Sequence, residues 1–547
     1  MKRRIIFSAL FALALTALTP SAQVSAQTST TQAQQSAAMH RAVMKAYDEL
    51  LQENPKDYEV LFRRANEYYN HSEYLRALDD LDNAVKYAPS TTDKDMMFSI
   101  YALRAETYHE LKRNTQALTE ANSALDIDSN SYAMLNLRAE IYFDLGNYSA
   151  AKTDYNRMQR INSRSQDALF GLAKVAAKEN NIGLANEYID SAVKLTPSSS
   201  DAYVRRAEVK EQMGDYNGAV DDLLVAMATD SSDKHALPAL VSMADSNYAA
   251  VMAGLSSAIR QAPRQPLYYF LRASIAAAHF HYGAAIDDYQ HIITENLYSY
   301  AGLYASLAEC YYALCQYDKA LDNAETALAT YDAEVDDPCH YFTVRAKILR
   351  AMGDTDKALA SANRALDFEA ENADAQVQKA LILTDMKKGE DASNLLGEVI
   401  INNPDEPMNY LLRAWVLNDF MNQAKAAKGF YTRAAGLELD HSERIGSMLG
   451  FAQLFNGQTA KGVEWMEACL QEPDYDGGAH YLGACFFAWA GRTDRALECM
   501  EEALKAGYAN RHDWTVNKDG RVNVDPIRSN AKFTALLEQY SSIFSSK

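Results

Sequence analysis

"LRALDDLDNAVKYAP" occupies residues 75–89. Ala77 and Ala84 stand seven apart on one helical face, and Pro89 closes the run. Related phrases return as "NGAVDDLLVAMATD" at 217–230, "GAAIDDYQHIITEN" at 283–296, "DKALDNAETALATY" at 318–331 and "DRALECMEEALKAG" at 494–507. A single globular core does not repeat its own sequence. A stack of equivalent helical units does, because each must bury the same face against the next.

Counting outward, Tyr58 becomes position 1 of a frame of about 34 residues. Leu61, Ala65 and Tyr68 then fall at positions 4, 8 and 11, one face of a first helix. Ala77, Leu81 and Ala84 fall at 20, 24 and 27, one face of a second, and Pro89 at 32 ends the unit. Small residues at 8, 20 and 27 let the two helices approach closely. After an insertion at Ser90–Asp95 the frame resumes with Tyr101, Ala105, Tyr108, Ala117 and Ala124, then Leu135, Ala139, Tyr142 and Ala151. It continues through Ala173 and Ala207, weakens over 232–265 where Pro238 falls in a first helix, and recovers from Tyr269 to Ala503. Upstream, Val43, Tyr47, Leu50 and Pro55 match positions 20, 24, 27 and 32, a second helix without its first.

These residues resemble the pattern of the tetratricopeptide repeat (TPR) family. The resemblance implies an all-α fold: a TPR α-solenoid, a right-handed superhelix of about thirteen helical hairpins over residues 58–508. A half-repeat at 36–57 precedes the array, and a short irregular C-terminal cap at 509–547 follows it. Within the cap, a hairpin is expected around Lys518-Asp519-Gly520 and a helix from about Asn530. Asn517, Asp519 and Gly520 match three calcium-loop positions, but Thr515 and Pro526 stand where two ligands would be needed, so a cap is preferred.

A second regularity accompanies the first. Arg64, Arg104, Arg138, Arg206 and Arg272 hold position 7, and Asp80, Glu120, Asp154, Asp222 and Asp288 hold position 23 of the same units. Arg345 and Arg413 hold position 7 without an acid at 23. Helices joined near position 15 bring 7 and 23 together, so each pair is read as a structural ion pair, worth about 0–1 kcal/mol if exposed.

The bulk numbers agree with a soluble repeat protein. The chain has 547 residues, 48% apolar and 23% charged, with a formal net charge of −20. That length exceeds one core. That charge opposes nucleic acid or an anionic membrane surface as the main partner. Lys2, Arg3 and Arg4 precede the apolar run Ile5–Leu18, and small-residue sites at Ser21-Ala22 and Val24-Ser25-Ala26 follow. Residues 1–26 therefore read as a cleaved signal peptide and 27–35 as a disordered linker. No Cys lies nearby to carry a lipid, so the mature chain is expected to be periplasmic or secreted, without membrane insertion. Cys310, Cys315, Cys339, Cys469, Cys485 and Cys499 lack metal-ligand spacing and read as small core residues, all but Cys339 inside repeat helices.

No nucleophile elbow, phosphate loop, zinc helix or dinucleotide fingerprint occurs, so neither cofactor nor metal is expected and the chain is read as non-enzymatic. His279 and His281, alternate residues of one helix, should diverge. The resemblance places first-helix positions 2, 5, 9, 12 and 13 on a concave binding surface. In the early units that surface offers Phe62, Asn66, Tyr69, Glu106, His109, Asn136, Glu140, Phe143 and Glu208, which suit an extended, somewhat basic polypeptide. The Lys and Asn set of carboxylate-clamp TPR domains is not met, because Glu59, Ser99 and Ala133 hold position 2. The function expected is a protein-binding scaffold of the cell envelope. Two alternatives are an exported enzyme or cofactor-binding protein with a site in 232–265 or 509–547, and a structural subunit of an envelope complex.

Overall fold

The computed structural model describes residues 42–230, 233–332, 336–441 and 444–544. The expected leader, its cleavage sites and the linker lie outside the described residues. Among the described residues every regular element is helical. The chain forms two compact units that meet in sequence between Met243 and Ala244.

In the N-terminal unit, a helix over 42–53 leads into five hairpins, from Tyr58–Asn70 with Tyr74–Tyr87 to Ser200–Gln212 with Tyr216–Thr229. The frame's small residues are the contact points. Ala65, Ala105, Ala139, Ala173 and Ala207 of the first helices are buried, as are Ala77, Ala117, Ala151, Ala185 and Ala219 of the second. The half-repeat departs from the frame by one residue. Leu50, placed at core position 27, is 47% exposed, while Leu51 is buried with Leu61 and Ala65. Among the described residues this helix is covered by the next unit's first helix, which lies on the Leu51 side.

The weak stretch of the frame spans the sequence boundary between the two units. A single helix, Ala236–Gln261, is broken at Asn247 (φ −149°, ψ 70°), whose Oδ1 accepts the Ala250 N–H at 3.2 Å. Asn247 thus caps a new helix with no turn before it. Pro238 sits in the first turn, where its missing N–H has no helical partner to lose. Seven further helix pairs follow, from Pro266–Ala278 with Tyr282–Thr294 to Gly478–Trp489 with Thr493–Lys505.

The turn inside each hairpin has one solution, repeated. Position 15 is left-handed: Ser72, Lys112, Gly146, Asn180, Gly214, Phe280, Cys315, Gly353 and Lys387 hold φ between 58° and 83°. The next N–H returns five residues, Glu73 to Tyr68 O, Arg113 to Tyr108 O and Asn147 to Tyr142 O, each at 2.8 Å. That is the paired closure of a helix C-terminus. The residue making it then caps the second helix, as when Asn147 Oδ1 accepts from Ala150 N–H and Asp215 Oδ1 from Gly218 N–H. Two corrections follow from this turn. Cys315 lies in it, half-buried, rather than in a helix, and Cys339 does lie in a repeat helix, buried within Pro338–Ala351. His279 and His281 flank the left-handed Phe280, so they converge instead of diverging: both rings stack on Tyr248, with centroids at 4.9 and 4.7 Å.

All five Arg–acid pairs form. The guanidinium-to-carboxylate distances are 2.7 Å for Arg64–Asp80, 3.0 Å for Arg104–Glu120, 2.8 Å for Arg138–Asp154 and 2.6 Å for both Arg206–Asp222 and Arg272–Asp288. The condition of exposure is not met. Asp80, Asp154, Asp222 and Asp288 are buried, and each is gripped by two nitrogens of its arginine. Arg345 finds Ser361 at position 23 and Glu325 of the preceding unit. Arg413 instead lies over the Phe430 ring at 4.5 Å.

Two stability outcomes follow. Ala139→Leu should overpack its hairpin and lower the unfolding free energy by about 1–3 kcal/mol in a denaturant titration. Arg138→Ala should cost about 3 kcal/mol by stranding a buried carboxylate. Arg104→Ala should cost less, because Glu120 is only half-buried and can rehydrate.

Candidate functional site

The first helices of successive early units lie side by side, and the nine expected surface residues all stay accessible. Asn66 and Glu140 are exposed; Phe62, Tyr69, Glu106, His109, Asn136, Phe143 and Glu208 are half-buried. Several are joined to one another. Asn136 Nδ2 donates to Glu140 at 2.8 Å, His109 Nε2 lies 3.1 Å from Asp144, and Glu208 pairs with Lys174 at 2.8 Å. Phe143 and Tyr69 each meet the tyrosine that opens their own second helix, Tyr148 at 5.3 Å and Tyr74 at 5.5 Å.

The electrostatics of this surface are acidic. Burial and then Glu110 push the Glu106 carboxyl above its ordinary range. Burial and then Glu106 and Glu110 push the Tyr69 phenol up to about 12. Negative charges here repel one another and resist further ionisation, so a cation placed among them relieves both. The position-7 arginines do not supply one, since their donors are already held.

The C-terminal unit carries a second site, whose roof falls in the 509–547 stretch named above as an alternative and whose walls were not among the candidate residues. A cavity of about 340 Å³ opens on the first-helix face of the units beginning near 266, 301 and 338. Its walls occupy the same frame positions as the early surface: Phe270 at 5, Ser274, Glu309 and Lys347 at 9, and Ala277 and Tyr312 at 12. Extending the positional argument past Glu208 would have found these residues. The roof had no periodic signal at all. It is the cap segment, which contributes Asn510, His512, Asp513, Asn517 and Asp519.

The cap is locked down where it crosses the groove. His512 Nε2 and Nδ1 each lie 2.8 Å from a tyrosine hydroxyl, Tyr312 and Tyr317. A neutral imidazole satisfies both, donating through one nitrogen and accepting through the other. Burial, and then Lys347, push its pKa down to about 3. Both oxygens of Asp519 accept from Arg350, at 2.9 and 2.7 Å, so the apparent calcium ligand is committed to an arginine. Arg521 grips Asp419, which projects from the π-helical turn Val416–Phe420. Trp514 is fully buried against Tyr481, Tyr508 and Phe533. No strand forms around Lys518-Asp519-Gly520. Short 3₁₀ turns replace the expected hairpin, and Gly520 (φ 64°) approaches Leu412 so closely that a Cβ would lie 2.9 Å from its Cδ2. Asn530 does cap the final helix, Ala531–Gln539.

His512 makes the cap pH-dependent in a defined direction. Its folded pKa lies below its unfolded value of 6.5, so the stability it contributes is present above pH 6.5 and is lost as pH falls towards about 3. His512→Gln should cost about 2 kcal/mol at pH 7 through its two hydrogen bonds, and that cost should shrink steadily on acidification. Denaturant titrations of both chains at pH 7, 6, 5 and 4 check this.

Residues 62–132 and 136–200 match the tetratricopeptide repeat family model. No curated protein matches the chain. Among solved structures it is similar to a tetratricopeptide repeat protein from Parabacteroides merdae, with 18% identity, 53% of this chain and 98% of that one covered, and a TM-score of 0.28. It is also similar to yeast Tom70 (16% identity, 75% and 99% covered, TM-score 0.34). A third likeness is to YrrB, described as a TPR protein with an unusual peptide-binding site (18% identity, 36% and 98% covered, TM-score 0.27).

Proposed function

We propose that this chain, a tetratricopeptide-repeat solenoid, is an exported bacterial binding scaffold that holds an extended, basic polypeptide on the first-helix face of residues 58–230. TPR repeats generally mediate protein or peptide binding. The observation that carries the reading for this chain is the charge state of that face. Glu106 lies beside Glu110 with its carboxyl pushed up, and Asn66, Glu140 and Glu208 hold the same position on other first helices, where the one lysine, Lys174, is already paired with Glu208. Tyr69 and Phe143 supply aromatic surface between the carboxylates, which suits lysine or arginine side chains with apolar neighbours. The proposal of export, to the periplasm or beyond, rests on the leader pattern at 1–26.

An array of extended peptides of varied charge tests the binding. Retention should rise with Lys and Arg content and weaken as salt increases. The triple variant Glu106→Lys, Glu140→Lys, Glu208→Lys should bind the same peptides at least about tenfold more weakly, a loss of about 1.4 kcal/mol or more. Preference for acidic peptides, or binding indifferent to the triple variant, would overturn the reading. Export is tested separately by the mass of the chain recovered from the envelope fraction, which should lack a leader ending near residue 22 or 26.

A further inference from the structure

The two position-9 charges in the roofed cavity are opposite in sign and adjacent in the stack, yet they do not pair. Lys174 and Glu208 occupy the same position on neighbouring first helices of the other unit, and they close to 2.8 Å. Glu309 and Lys347 remain apart. Lys347 has no carboxylate within ion-pair distance among the described residues, and its ammonium rests over the Tyr312 ring at 4.5 Å. Glu309 lies 4.0 Å from Nε2 of His340 on the neighbouring first helix. Holding two half-buried opposite charges apart across a cavity is costly unless something bridges them.

The titratable groups that the cap brings to the cavity are already engaged. His512 is held by two tyrosines, Asp513 accepts the Tyr508 hydroxyl at 2.6 Å, and Asp519 is held by Arg350. Glu309 and Lys347 are thus the charges left for a ligand. Phe270, Tyr289, Tyr312 and Ala277 line the same cavity and give it a mainly aromatic wall. At about 340 Å³ the cavity is near the small end of ligand pockets. The cap also closes the groove over it, so an extended polypeptide cannot lie through it as on the early units.

We propose that this cavity binds a small zwitterion with an aromatic body, an aromatic α-amino acid: Lys347 takes the carboxylate, Glu309 the ammonium, and the aromatic walls the ring. This site lies in the other compact unit from the polypeptide surface and stands or falls apart from it.

Calorimetric titration of the full-length chain with L-phenylalanine, 3-phenylpropionate and phenethylamine tests the assignment without any mutation. L-Phenylalanine should bind once per chain, and each single-charge analogue at least about tenfold more weakly. Lys347→Met should weaken L-phenylalanine by about tenfold or more while leaving phenethylamine unchanged, and Glu309→Gln should do so while leaving 3-phenylpropionate unchanged. A purely structural role for either residue would move all three ligands together. Equal affinity for the analogues, or no heat from L-phenylalanine, L-tyrosine and L-tryptophan up to their solubility, would overturn it.

Discussion

Close contact between helices at an alanine sets everything else in this molecule. With only a methyl at positions 8 and 20, the helices of a hairpin come near enough for side chains further along to mesh without gaps. Ala65, Ala105, Ala139 and Ala207 have no exposed surface worth naming, and neither do their partners in the second helices. That approach also buries position 23, which is why an aspartate there needs an arginine rather than water. The ion pair is therefore a consequence of the packing. It cannot drive the packing, because a buried carboxylate without the close helices would simply stay in solvent.

From this follows a division of labour along each first helix. Position 7 points towards its own hairpin and spends its charge there. Position 9, two residues on, faces away and keeps its charge available. The same two-residue offset serves both units with different results. In the N-terminal unit position 9 gives three glutamates, an amide and a lysine that closes on one of the glutamates, all on an accessible face. In the C-terminal unit it gives an unpaired acid and an unpaired base beneath a roof. Function in a repeat fold of this kind lies in which positions the packing leaves unspent.

The alanine frame was legible in the sequence because it is enforced at every unit, and so were the five ion pairs. About thirteen repeat units came from the same periodicity, while the helix from about Asn530 was read in the tail, where that periodicity stops. What could not be read had no periodic cause. Asn247 breaks a helix without Gly or Pro to mark it, and Leu51 replaces Leu50 on the face that packs with Leu61 and Ala65. His279 and His281 misled because a left-handed phenylalanine, Phe280, sits between them, and nothing in a phenylalanine announces positive φ. The cap was recognisable as an interruption, but its path depends on contacts with residues up to 200 positions away, such as Tyr312 to His512. The cavity needed both the frame and that path, so it stayed hidden although half of its wall was in register.

The cap also acts as a ruler. It touches Tyr312 in one hairpin, Arg350 in the next and Asp419 two hairpins further on, while its Trp514 is seated against the last. Each contact presupposes a fixed number of repeats between them. Gain or loss of one hairpin between Tyr312 and Asp419 would carry the partners of His512, Asp519 and Arg521 out of reach together. The described part of the N-terminal unit has no such closing segment laid across several of its hairpins. Repeat number across the C-terminal unit is thus held constant by a segment that is not itself a repeat.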